Sequence, residues 1–244
     1  MSIIDDFIDN ERKHYTGKDS NLFAFSLAQS LRYYDFLLIV AARYEKASEK
    51  AVSAHNKLMK PLLAQPGKEI SMTVKQMRLF VEQRLLQTLV HLEIESFYMF
   101  AKIFLDKIAL FIQNYFGPEQ GISLRSHDKL EKEHERFRLA KGLTYPQGFS
   151  RSIIFLKEHI SDYRDKQISH MYSQRAVKGT TWGDNKQMKI TTMQLFPTGN
   201  EFKSPSSEDL SLLLQAIDTY IQQLIAFIES NRAKTRFELK QHSP

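Results

Sequence analysis

Two stretches free of glycine and proline dominate this chain: residues 21 to 59, and the forty-odd residues from Thr73 to Phe116, which end at Gly117-Pro118. Uninterrupted segments of that length exclude a fold of short strands and tight turns, and they predict long α-helices. In the first, Leu22, Phe23, Phe25, Leu31, Tyr34, Leu37, Leu38, Ala41 and Tyr44 recur at roughly helical spacing. Pro61 is expected to stop that helix, because proline lacks the N–H that the next turn needs. The last turns, Glu45 to Lys60, are polar and are predicted to project beyond the core or to be covered on one side only. The second stretch opens with Thr73 and Gln76 at the spacing of a capping box. Its C-terminal half, with Phe97, Phe100, Ile103, Phe104, Leu105, Ile108, Phe111 and Ile112, is apolar around most of its circumference, as the central element of a bundle must be.

The remaining elements follow from turn residues and periodicity. Residues 65 to 68 read as a turn and Glu69 to Met72 as a short strand. Residues 127 to 142 are so rich in charge that a surface-lying helix with a solvated face is expected. A third helix is predicted from Ser150 to Arg175, its buried side marked by Ile153, Leu156, Ile160, Tyr163, Gln167 or Ile168, and Met171. From Gly179 to Phe196, turn residues followed by β-branched residues predict a hairpin or flap, able to pair with 69 to 72. Pro205 to Asp209 starts an amphipathic last helix, and residues 232 to 244 read as frayed. The expected fold is all-α: a four- or five-helix up-and-down bundle in a single domain over 1–244, with an N-terminal tail at 1–19 and a small β-hairpin insertion at 178–203.

Composition removes several chemistries. The absence of cysteine excludes disulfides, thiolate metal sites and cysteine nucleophiles, and it fits a reducing cytoplasm. A net charge of +6 permits contact with RNA without demanding it. Residues 1 to 20 lack the basic start and apolar core of a secretory signal. The apolar run Ile94 to Phe116 carries Glu95, Lys102, Asp106 and Lys107, too many charges for a bilayer, so no membrane is expected. His127, His134 and His159 have no metal-site spacing, and no cofactor or metal is expected. Trp182 offers a face for a nucleic-acid base, although a lone tryptophan in a hairpin more often pins it to the bundle.

The stretch Tyr163 to Tyr172 holds the candidate chemistry: Arg164, Asp165, Gln167, His170 and Tyr172. An arginine and a histidine six residues apart supply two of the groups needed to cleave RNA without a metal. The spacing by itself carries little, since Arg84 and His91 nearly repeat it. On a helical wheel at about 100° per residue, Arg164 and His170 flank the buried face and Gln167 lies between them, while Tyr172 falls on the opposite side. The plain structural alternative is Arg164 paired with Asp162 or Asp165, and His170 half-buried against a carbonyl.

Arg164-Asp165 followed by four residues and His170 resembles the signature of the HEPN superfamily of helical bundles, many of them metal-independent RNases. His170-Met171-Tyr172 looks like the tyrosine-bearing extension found in HEPN toxins paired with nucleotidyltransferases. The acid-bearing apolar helix with Glu93 and Glu95 is similar to the second helix of such bundles, and Glu95, flanked by Ile94, Phe97 and Tyr98, is the acid expected near the arginine. The resemblance implies a homodimer whose groove forms where two motifs meet, RNA as substrate, and a nucleotidyltransferase antitoxin as partner. It implies that His170 moves the proton of the 2′-hydroxyl or of the leaving 5′-oxygen, and that Arg164, oriented by Asp165 or a glutamate of the second helix, holds the phosphate. Two functions stay open: an endoribonuclease of toxin or phage-defence type, and a non-catalytic HEPN-like module for dimerisation or for binding nucleotide or RNA.

Overall fold

The computed structural model describes residues 3–63, 73–169, 175–182, 189–197 and 207–240. Among them are α1 (Ile3–Glu11), α2 (Gly17–Leu63), α3 (Val74–Phe116), α4 (His127–Lys141), α5 (Phe149–Leu156) and α6 (Leu210–Ser230), with an antiparallel hairpin of β1 (Arg175–Trp182) and β2 (Lys189–Pro197). This is a helical bundle with a small hairpin insertion, as the long unbroken stretches require. The capping box forms: the Thr73 amide donates to Gln76 Oε1 at 2.8 Å and the Gln76 amide to Thr73 Oγ1 at 3.3 Å, supplying partners that a helix N-terminus otherwise lacks.

The chain divides into two compact units. The first comprises Met1–Leu37, Tyr98–Asp165 and Leu212–Pro244. Its centre is aromatic: Tyr115 lies within ring contact of Tyr15, Phe23, Phe111, Phe116 and Phe237, and Phe149 stacks on Phe227 and Tyr220. Rings of this size dominate core energetics through buried area. α6 is long and apolar enough, by length and composition, to cross a membrane. Its stripe Leu213, Ile217, Tyr220, Leu224 and Phe227 is buried here.

Both chain ends differ from expectation. Residues 3 to 11 form a helix, because Ile4, Phe7 and Ile8 lie at the spacing of one helical face and are buried. The segment after α6 is pinned as well: Arg232 makes two bonds to the buried Glu11 carboxylate at 2.8 and 2.6 Å, Tyr15 bridges to Leu239, and Phe237 is buried. Glu11 also accepts from the Tyr15 hydroxyl. Asn231 completes the anchor by exchanging hydrogen bonds with the backbone of Thr144. The spacing of Ile4, Phe7 and Ile8 marks the first end locally, whereas charge and aromatic rings at distant positions hold the second, which local periodicity does not register.

Three further expectations need correction. α2 continues through Pro61 to Leu63. The 127–142 segment buries His127, Leu130, His134 and Phe137, so two histidines complete an apolar face that looked too sparse for packing. It ends at Gly142, whose φ of 62° is the left-handed cap that glycine adopts freely. The third helix does not reach Arg175, which begins β1. The turn at 65–68, the strand at 69–72 and the helix start at Pro205 and Ser206 fall outside the described residues.

The second unit comprises Leu38–Phe97 and Lys166–Ser211. In it the hairpin is fastened to α2: the Tyr44 hydroxyl donates to the Met193 carbonyl at 2.6 Å, while Met193 and Leu195 are buried. Ser207 clasps Leu195 through two bonds of 2.9 Å: its amide donates to the Leu195 carbonyl, and its hydroxyl oxygen accepts from the Leu195 amide. β1 pairs with β2 from Arg175–Pro197 to Trp182–Lys189, with a bulge between Thr180 and Thr181.

Candidate functional site

Arg164 stands where the helix begun by α5 has loosened. After Leu156 the backbone runs through two π-helical segments, Lys157–Asp162 and Arg164–Ser169. Their hydrogen bonds reach five residues back, so each turn holds more residues than an α-turn, and a wheel drawn at α-helical spacing loses register here. Runs of π-helix recur at functional positions because they re-aim side chains that a regular helix would fix.

The buried side of this stretch is close to the one expected up to Tyr163. Leu156, Ile160 and Tyr163 are buried, joined by Ser161. The Tyr163 ring packs on Tyr98 with centroids 4.6 Å apart. Arg164 follows onto the same turn of α3, its Nε 3.3 Å from the Met99 sulfur, while Nη1 donates to Asp165 Oδ1 at 2.8 Å. Both members of the pair are about one-third exposed, leaving the guanidinium within reach of solvent. The Arg164–Asp165 contact is the pairing foreseen from the sequence. Gln167 is half-buried. His170 and Tyr172 lie outside the described residues.

Glu95 is not the buried acid of α3. Its carboxylate, 33% exposed, meets the His91 ring nitrogen at 2.9 Å, one turn away on the same helix. The buried acid is Glu93, 2% exposed and 2.6 Å from an Arg43 guanidinium nitrogen of α2. Apolar neighbours in sequence misled because they sit at other angles around the helix; Glu93 shares a side with Val90, Ile94 and Phe97, which are all buried.

A polar network went unforeseen. Lys102 of α3, nearly buried, bridges Asp106 at 3.1 Å and Asp128 at 3.2 Å. Lys157 pairs with Asp162 and lies 3.7 Å from Asp128. Asp106 also accepts from the His127 amide at 2.8 Å, which caps α4 from a neighbouring helix. The His127 side chain is fully buried, meets the Tyr220 ring edge-on, and has no hydrogen-bond partner at either nitrogen among the described residues. Burial, with Lys102 and Lys157 nearby, pushes its pKa down to about 3, so the ring is neutral. The intrahelical Lys102–Asp106 spacing was legible, but Asp128 and Lys157 join through tertiary packing.

The network is internally compensated, with each lysine between carboxylates and only 10% and 15% exposed for Lys102 and Lys157. Arg164 differs in having an exposed flank. No group of three or more histidine, aspartate or glutamate side chains able to hold a metal occurs among the described residues. No family model, curated protein or solved structure matches the chain.

Proposed function

We propose that this chain is a HEPN-like bundle that cleaves RNA without a metal, with Arg164 as the phosphate-binding cation and His170 as the proton-transfer group. The observation carrying the reading is the Arg164–Asp165 contact at 2.8 Å on a π-helical segment, which holds the guanidinium in one orientation with a solvent-accessible side. A fixed guanidinium matches the charge that grows on a phosphate during attack, and a donor already positioned needs no reorganisation. In the reaction the ribose 2′-oxygen attacks the adjacent phosphorus as its proton leaves, and the P–O5′ bond breaks. The products are a 2′,3′-cyclic phosphate and a 5′-hydroxyl. His170 takes the first proton or returns one to the departing oxygen. As in the family, two copies would form the groove, and a nucleotidyltransferase would be the antitoxin.

A second reading is a non-catalytic module, favoured by the same contact: Asp165 already offsets the Arg164 charge, as it would in a purely structural pair. The chemistry of the products separates the two. Incubation of structured RNA with the full chain in EDTA should yield fragments ending in 2′,3′-cyclic phosphate. RNA that is bound and stays intact selects an RNA-binding module, and RNA neither bound nor cut removes the nuclease and leaves a module for dimerisation or nucleotide binding.

A further inference from the structure

The two residues that bound the first π-helical segment are joined to each other. Lys157 opens it, Asp162 closes it, and the Lys157 ammonium donates to Asp162 Oδ1. In an α-helix residues five apart stand about 140° away from each other, and ion pairs form at spacings of three and four. On a π-turn, whose hydrogen bonds reach five residues back, the fifth residue returns close to the first. The pair therefore matches the π spacing and not the α spacing.

An isolated ion pair in solvent would contribute little to holding a backbone. This one is tied to its surroundings. Lys157 is 15% exposed and Asp162 29%, and Lys157 also lies 3.7 Å from Asp128 of α4. Asp128 in turn accepts from Lys102 of α3 at 3.2 Å. Burial opposes the Lys157 charge, but the Asp162 bond and the Asp128 carboxylate outweigh it and raise its pKa above the ordinary lysine value. At neutral pH the lysine is charged.

The chain of contacts returns to the place where Arg164 sits. Lys102 lies three residues, just under one turn, beyond Met99, whose sulfur the Arg164 Nε approaches. The stretch from Lys157 to Arg164 thus reaches neighbouring positions of α3 at both its ends, through Asp128 and Lys102 at one and through Met99 at the other. Tightening the segment to α spacing would remove its extra residue and re-aim the side chains that follow by about 100°. Arg164, two residues past Asp162, would turn away from Met99.

We propose that Lys157 and Asp162 are positioning residues, whose pair holds the backbone in π register and thereby fixes the direction of Arg164. That this serves cleavage rests on the nuclease reading; that it fixes Arg164 does not, and the experiment has an arm for each. In a ¹⁵N-labelled full chain without RNA, the Arg164 Nε–H resonance, assigned by its absence from Arg164→Lys, should stand apart from those of exposed arginines. Asp162→Asn, which keeps the shape and loses the charge, and Lys157→Met, which keeps an apolar stem, should each move it to the exposed-arginine position in a chain that still melts cooperatively. Lys157→Arg should keep it in place, and so should Phe237→Ala, which weakens packing elsewhere in the same unit. With RNA in EDTA, the two disruptive variants should lower kcat at least about tenfold with KM changed less than about threefold, and Lys157→Arg should retain most of the rate. A resonance unmoved by both disruptive variants, or moved equally by Phe237→Ala, overturns the proposal. A resonance that moves while kcat stays at the wild-type value overturns the service to cleavage. A resonance that moves in the variants of a chain that cuts no RNA upholds the positioning and removes the nuclease reading instead.

Discussion

Replacing His127 by Phe should remove a pH dependence of stability that the histidine imposes. The ring is fully buried, and neither nitrogen has a hydrogen-bond partner among the described residues, so Phe forfeits no such contact. The groups acting on it come from three elements: Lys102 on α3, Asp128 and His134 on α4, and Lys157 on the first π-helical segment. Burial is the largest influence, and together these hold the folded-state pKa at about 3. In the unfolded chain it returns to about 6.5, so below that value the unfolded state binds a proton that the folded state refuses. Stability from this group is therefore present above about pH 6.5 and lost progressively as pH falls towards 3. From about pH 7 to about pH 5 the loss is about 2 kcal/mol. Urea unfolding followed by circular dichroism at both pH values should show the wild type losing about 2 kcal/mol more than His127→Phe over this interval. At pH 7 the variant should match or exceed the wild type, because buried nitrogens without partners are replaced by carbon. Equal losses in the two proteins would refute the argument by showing that the folded state accommodates the imidazolium.

Other expectations concern the anchors and the candidate site. Lys102→Met should cost about 1–3 kcal/mol in urea, because Asp106 and Asp128 lose a shared cation, with their partial exposure limiting the penalty. Phe237→Ala should cost about 3 kcal/mol and lower the thermal midpoint, since the ring packs on Tyr15 and Tyr115; a neutral result would mean the C-terminal segment is not docked in solution. Asp165→Asn should leave the thermal midpoint within a degree or two while slowing RNA cleavage by up to about a hundredfold, as Arg164 loses the partner that orients it. Unchanged cleavage in that variant would assign Asp165 to solvent screening alone.

What the sequence disclosed, and what it hid, follows from the range of the forces involved. The long helices, the capping box at Thr73 and Gln76, the hairpin and the buried side through Leu156, Ile160 and Tyr163 depend on neighbours a few residues apart, and all could be read directly. The docked ends depend on Glu11 meeting Arg232 and on Tyr15 meeting Phe237, pairs more than two hundred residues apart in the chain. Burial of His127 and His134 was hidden because histidine counts as polar in any periodicity argument, yet a neutral ring packs like an aromatic one. Glu93 and Glu95 differ by two residues and lie on different sides of α3, so an angle decided between them where local composition did not. At the candidate site, Arg164 with Asp165 was legible as an adjacent pair. The π-helical backbone beneath it was not, since no residue type marks it.

The central claim, that Arg164 and His170 cleave RNA, is tested most directly by single-turnover cleavage of a labelled RNA in EDTA by wild type, Arg164→Ala and His170→Ala. The account predicts EDTA-resistant cleavage by the wild type, at least about a hundredfold slower in each variant, with all three chains equally folded by circular dichroism. Cleavage that EDTA abolishes, or that survives both substitutions at the wild-type rate, would contradict it.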